Sequence, residues 1–240
     1  MFTLTRTIVG VAALGFAACG AETAVEPSEY DDVAQMLASS IRSDVGGGQH
    51  GALDDAWALA HGTLPTGFAV DRLGWFSGHH GTAAYAYQLS CADAAGHTLP
   101  ACDATTDRAM VLAAWSGGTH AVAYDHRFNR GAVWLFEHLQ SGAGTINGVS
   151  NLMANATFGV IGTPAVYTLT TVFDERYLLD TVAHEVFAAD LTGDLAVTRN
   201  GERFAISALI ELDRDATSAA IVLDDEQVLD VKLDTAFPGE

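Results

Sequence analysis

The sequence predicts a mainly β, α+β protein. An antiparallel meander sheet of about nine or ten strands, curved into a barrel, half-barrel or sandwich, follows one or two N-terminal helices. Three observations predict it. Apolar residues recur at helical spacing only ahead of Gly62. From about residue 67 the apolar period is two. Short turn sequences join the alternating runs, Asn200-Gly201 most clearly, and leave little chain for helical crossovers.

Residues 29–66 form the helical segment. Val33, Met36, Leu37, Ser40 and Ile41 share one stripe, Ser28 and Asp31 make an S-x-x-D capping box, and Gly46-Gly47-Gly48 stops the helix. A second helix over 53–61 places Leu53, Ala56, Trp57 and Ala60 on one face, with Gly62 and Pro65 ending it.

Residues 67–240 form the β domain. Tyr85, Tyr87 and Leu89 alternate with smaller or polar residues, as do Tyr167, Leu169 and Phe173. Asn129-Arg130-Gly131 fits a three-residue turn and gives a hairpin over 119–140. That register groups Val122, Tyr124, Trp134 and Phe136 on one face, and Ala121, Ala123, Val133, Leu135 and Leu139 on the other. With both faces apolar, one meets the core and the other needs a cover: the helix over 29–43, a ligand or a partner. Around Asn200-Gly201, Val197 faces Phe204 and Leu195 faces Ile206. A last hairpin turns at Asp224-Asp225-Glu226-Gln227.

Composition narrows the function. The chain has 240 residues, 49% hydrophobic and 17% charged, with a mean hydropathy of +0.20, which is enough to bury a core. Lys and Arg number 11 against 30 Asp and Glu, a formal charge of −19. Phosphate neutralisation is therefore out of reach, and no nucleic-acid partner is expected.

The N-terminus reads as an address. Residues 1–18 pair Arg6 with an apolar run from Ile8 to Ala18, too short for a membrane-spanning helix. The run ends at Phe16-Ala17-Ala18-Cys19. Small residues before a cysteine resemble the lipobox of bacterial lipoproteins, although Phe16 stands where leucine is usual. The resemblance implies cleavage after Ala18, acylation of Cys19 as the lipid anchor, a tether over 19–28, and a place in the cell envelope. Gly20 after the cysteine implies sorting to the outer membrane of a diderm bacterium. With Cys19 assigned, Cys91 and Cys102 are left as a pair in an oxidising compartment, and a disulfide between them is expected.

No strong catalytic motif is present. Gly46-Gly47-Gly48-Gln49-His50-Gly51 matches G-x-G-x-x-G as a string, but it follows a helix and reads as a linker. The nine histidines are the unusual resource. The hairpin register sets His120 and His138 on one face as diagonal neighbours, the weak candidates for a metal site, with His126 further along. No cofactor is expected. Aromatics concentrate between Trp57 and Phe136, mostly as core, and Val122, Tyr124, Trp134 and Phe136 are the candidate lining of a ligand cavity. By analogy of fold alone, lipid-anchored and periplasmic half-barrels that carry acyl chains share such a sheet. The sequence names no molecular activity. Its leading reading is a non-catalytic lipoprotein that binds an apolar or amphipathic ligand. The alternatives are a structural or protein-interaction module at the outer membrane surface and a histidine- or metal-dependent hydrolase.

Overall fold

The computed structural model describes residues 25–41, 48–159, 164–183, 185–212, 218–225 and 227–232. The segment around Cys19, the glycines 46 and 47 and residues 213–217 lie outside these residues.

Among the described residues two helices come first, α1 (Pro27–Ile41) and α2 (Gln49–Ala60). Eleven strands follow: β1 (Ala69–Val70), β2 (Phe76–His80), β3 (Ala83–Ala92), β4 (Arg108–Ala121), β5 (Tyr124–Glu137), β6 (Ala143–Phe158), β7 (Ala165–Asp180), β8 (Glu185–Arg199), β9 (Glu202–Leu212), β10 (Ser218–Leu223) and β11 (Gln227–Lys232). They form one antiparallel sheet whose spatial order is the order of the chain. It is a pure meander and it does not close: β1 and β11 remain its edges.

Alternating burial along β4 to β7 defines an inner and an outer face. The helices lie on the inner one. Helix α1 touches β4, β5 and β6, and also β10 and β11. Strands that far apart in the sheet meet one helix only if the sheet curls around it. Val33, Met36, Leu37 and Ile41 of α1 and Ala52, Leu53 and Ala56 of α2 join the sheet's inner residues in one core. Cys91 and Cys102 are bridged with Cα atoms 5.3 Å apart, tying the end of β3 to the loop that follows.

The capping of α1 differs from the expectation. Pro27 opens the helix, and the Glu29 carboxylate accepts the Glu26 N–H at 2.8 Å. The return half of a capping box thus sits at Glu26 and Glu29, while Ser28 lies inside the first turn.

The 119–140 hairpin is corrected. Its turn is Val122-Ala123, and Ala121 pairs with Tyr124. Asn129, Arg130 and Gly131 lie in the middle of β5. Gly131 is there for a close approach: its N–H donates to Asn151 Oδ1 at 2.8 Å, and a Cβ would come within 2.9 Å of that oxygen. The second apolar face is corrected too. Helices and core occupy the same face, so Val133 (44% exposed) and Leu135 (39%) look outward uncovered.

The Asn200-Gly201 hairpin follows the expected register, whereas in the last one Gln227 is not part of the turn but pairs with Leu223. Val197 pairs with Phe204 and Leu195 with Ile206, and Asn200 and Gly201 have φ of 49° and 96°. Gly201→Val would force a β-branched residue into that conformation, at about 1–3 kcal/mol. A clear fall in the thermal midpoint is expected; a midpoint equal to wild type would show that the turn tolerates any residue.

Candidate functional site

The mostly apolar inner face of the sheet carries a polar cluster around Glu175, besides the buried Thr119, His126 and Thr171. Glu175 of β7 is fully buried there, and five side chains donate to its carboxylate. Oε1 accepts from Arg130 Nη2 of β5 at 2.8 Å, from Ser150 Oγ of β6, and from Gln49 Nε2 of α2 at 2.9 Å. Oε2 accepts from Trp134 Nε1 at 2.6 Å and from Tyr177 Oη at 3.2 Å. Gln49 Nε2 also donates to Tyr177 Oη. Arg130 donates to Ser150 Oγ from Nε at 3.2 Å and from Nη2 at 3.0 Å. The side chains of Arg130 and Glu175 are both wholly inaccessible.

Sheet geometry makes this convergence. Trp134, Gly148 and Glu175 are direct partners across β5, β6 and β7. Gly148 leaves the middle strand bare, and the Trp134 indole crosses it to reach Glu175. A Cβ at 148 would lie 2.8 Å from Trp134 Cδ1. The guanidinium of Arg130 is sandwiched, its Cζ 5.6 Å from the Trp115 ring centroid and 5.3 Å from that of Phe173. Burial, reinforced by the Glu175 charge, holds the Tyr177 phenol protonated far above its ordinary range.

Among the described residues, Arg130 Nη1, Trp115 Nε1 and Gln49 Oε1 have no hydrogen-bond partner, nor, further along β5, has either ring nitrogen of His126. His126 stacks between Tyr124 and Phe128, at centroid distances of 5.7 and 5.6 Å. Burial lowers it to about 4, against the weaker opposing pull of Asp125, so the ring is neutral at pH 7.

Other polar bonds fix the helices over this floor. Asp55 of α2 accepts from His80 Nε2 at 2.9 Å and from Tyr87 Oη at 3.1 Å. Burial pushes the Asp55 carboxyl up, while His80 and Tyr87 pull it down. On α1, Tyr30 Oη donates to Asp224 Oδ2 at 2.8 Å, Arg199 Nη1 to Glu29 Oε1 at 3.0 Å, and Ser39 Oγ and Tyr124 Oη share a bond of 3.0 Å. Between α2 and the sheet lies a crevice of about 20 Å³, bordered by Leu53, Trp57, Phe136 and Ile146.

The expected site residues distribute unevenly. Tyr124, Trp134 and Phe136 are on the inner face and buried, whereas Val122 is in the β4–β5 turn and 83% exposed, so it lines nothing. His120 and His138 are not neighbours. His120 sits at the end of β4 beside Asp125 (3.4 Å), and His138 follows the far end of β5. The length of β5 keeps them roughly 40 Å apart at the usual strand rise, too far to share one ion. Among the described residues no group of three or more His, Cys, Asp or Glu side chains is placed to hold a metal. Arg130, Glu175, Ser150, Tyr177 and Gln49 were not singled out from the sequence. Glu175 carried a signal, being the one charged residue on the inward parity Tyr167, Leu169, Thr171, Phe173, Glu175, Tyr177.

No protein-family model, no curated protein and no solved structure matches this chain.

The folded state cannot protonate His126 until about pH 4, whereas the unfolded chain does so near the ordinary 6.5. Stability is untouched by this ring above pH 7 and falls as the pH drops from 6.5 towards 4, by up to about 3 kcal/mol. His126→Phe should remove that part of the acid sensitivity. Denaturant unfolding at pH 8 and pH 5 checks it: the variant should gain on wild type at pH 5 relative to pH 8, and an equal difference at both would refute it.

Proposed function

We propose that this protein is a lipid-anchored envelope protein that binds an apolar or amphipathic molecule on the inner face of its curled sheet, in place of the helices. One observation carries the reading: an unclosed sheet with a largely apolar inner face is filled by two helices that contribute no strand to it. Their removal would leave every strand pairing intact, since the meander is complete without them. The crevice between α2 and the sheet, about 20 Å³, admits no lipid, because pockets for molecules of that size run to roughly 300–1,000 Å³. Binding at that place therefore requires the helices to swing aside. Swinging aside breaks their polar bonds to the sheet and uncovers the apolar residues they bury, so the ligand's own apolar surface must replace what the helices supply.

The anchor is Cys19, through the lipobox-like Phe16-Ala17-Ala18 before it. Durable attachment takes two or more acyl chains, which the lipoprotein class provides. A partner at the outer face is the second reading. Met110, Leu112, Val133, Leu135 and Val149 are exposed side by side on β4, β5 and β6, and neither helix covers them.

Cys19→Ser should abolish palmitate labelling of the expressed protein; unchanged labelling would remove the anchor. The Cys19→Ser protein should also bind N-phenyl-1-naphthylamine, a neutral apolar fluorophore, saturably and with enhanced emission. A linear, unsaturable response from folded protein would eliminate the ligand-binding reading and leave the outer-face one.

A further inference from the structure

We propose that the Gln49 side chain occupies a head-group subsite, and that the molecule it stands in for is an uncharged amphiphile with a hydroxyl donor and a carbonyl acceptor, of the monoacylglycerol kind. This rests on the reading above and names the ligand class.

Four of the five donors on Glu175 come from the sheet: Arg130, Ser150, Trp134 and Tyr177. They stay in place when α2 leaves. The fifth is the Gln49 carboxamide, at the first residue of α2. Displacing the helix thus opens one position on a carboxylate that the sheet already holds rigid. Whatever enters must donate a hydrogen there, because Glu175 Oε1 is an acceptor. A hydroxyl or amide can do so. A fatty-acid carboxylate cannot: it has no proton at neutral pH and would set a second negative charge beside the first, in a medium that screens poorly.

The second half of the subsite is already waiting. Arg130 Nη1 and Trp115 Nε1 are buried donors without an acceptor among the described residues, and their residues pair directly between β4 and β5. A buried donor left unpaired is disfavoured. Only an acceptor oxygen satisfies these two, and an ester carbonyl next to a glycerol hydroxyl would supply it. The apolar inner face of the surrounding strands takes the acyl chain.

The test is competition for N-phenyl-1-naphthylamine bound to the Cys19→Ser protein, with three twelve-carbon competitors. Monolauroylglycerol has donor and carbonyl, methyl laurate the carbonyl alone, and laurate a charge and no donor. Monolauroylglycerol should displace the fluorophore at about tenfold lower concentration than either of the others, the factor expected for one hydrogen bond to a buried charge. Gln49→Ala removes the internal occupant and leaves the sheet network whole. It should improve displacement by monolauroylglycerol several-fold more than displacement by methyl laurate. Equal displacement by all three, or equal improvement in the variant, would overturn the head-group assignment while ligand binding itself stands. Failure of the fluorophore to bind at all would overturn both.

Discussion

An open sheet with one apolar face has to be covered, and that requirement governs this molecule. The strands pair only with their sequence neighbours, and the two edges never meet. Without closure the inner face cannot pack against itself, so the helices provide the other half of the core. Their apolar residues contribute on the scale of about 1.5–3 kcal/mol each when fully buried. Curling follows from the same need. Helix α1 is narrow, and the sheet meets it from both β4–β6 and β10–β11 only by bending round.

Within this apolar interior the Glu175 centre is the exception that fixes position. Hydrophobic contact is not directional and would let a helix slide. A carboxylate with donors from β5, β6, β7 and α2 accepts one arrangement only. Gly148 is the structural condition for it, since any side chain there would stand between Trp134 and Glu175. Removing one partner of such a buried pair destabilises by roughly 3–5 kcal/mol, because the other charge is left alone.

The fold class, the two helices, the disulfide and the Asn200-Gly201 register were legible in the sequence because each has a local cause. Periodicity, a glycine able to adopt positive φ, and a cysteine pair can all be seen within a few residues. The β4–β5 hairpin was misread because Asn129-Arg130-Gly131 looks like a turn, whereas its glycine serves an approach to Asn151 on the next strand. That error hid Arg130 by placing it in a loop. Glu175 was hidden by its neighbours: Asp174 and Arg176 point outward and make the triplet look like an ordinary polar stretch. Gln49 could not be found locally at all, since its partners are 126 and 128 residues away.

The meander has a consequence for how the chain reaches its final form. Each strand finds its partner next to it in sequence, so the sheet can zip hairpin by hairpin with short loop closures. The helices are the opposite case. They are the first part of the domain to emerge, yet Tyr30 bonds to Asp224, 194 residues on. Helix α1 cannot complete its contacts until the last hairpin exists. Docking of α1 can thus begin on β4, β5 and β6 but is completed only when the last hairpin closes over it.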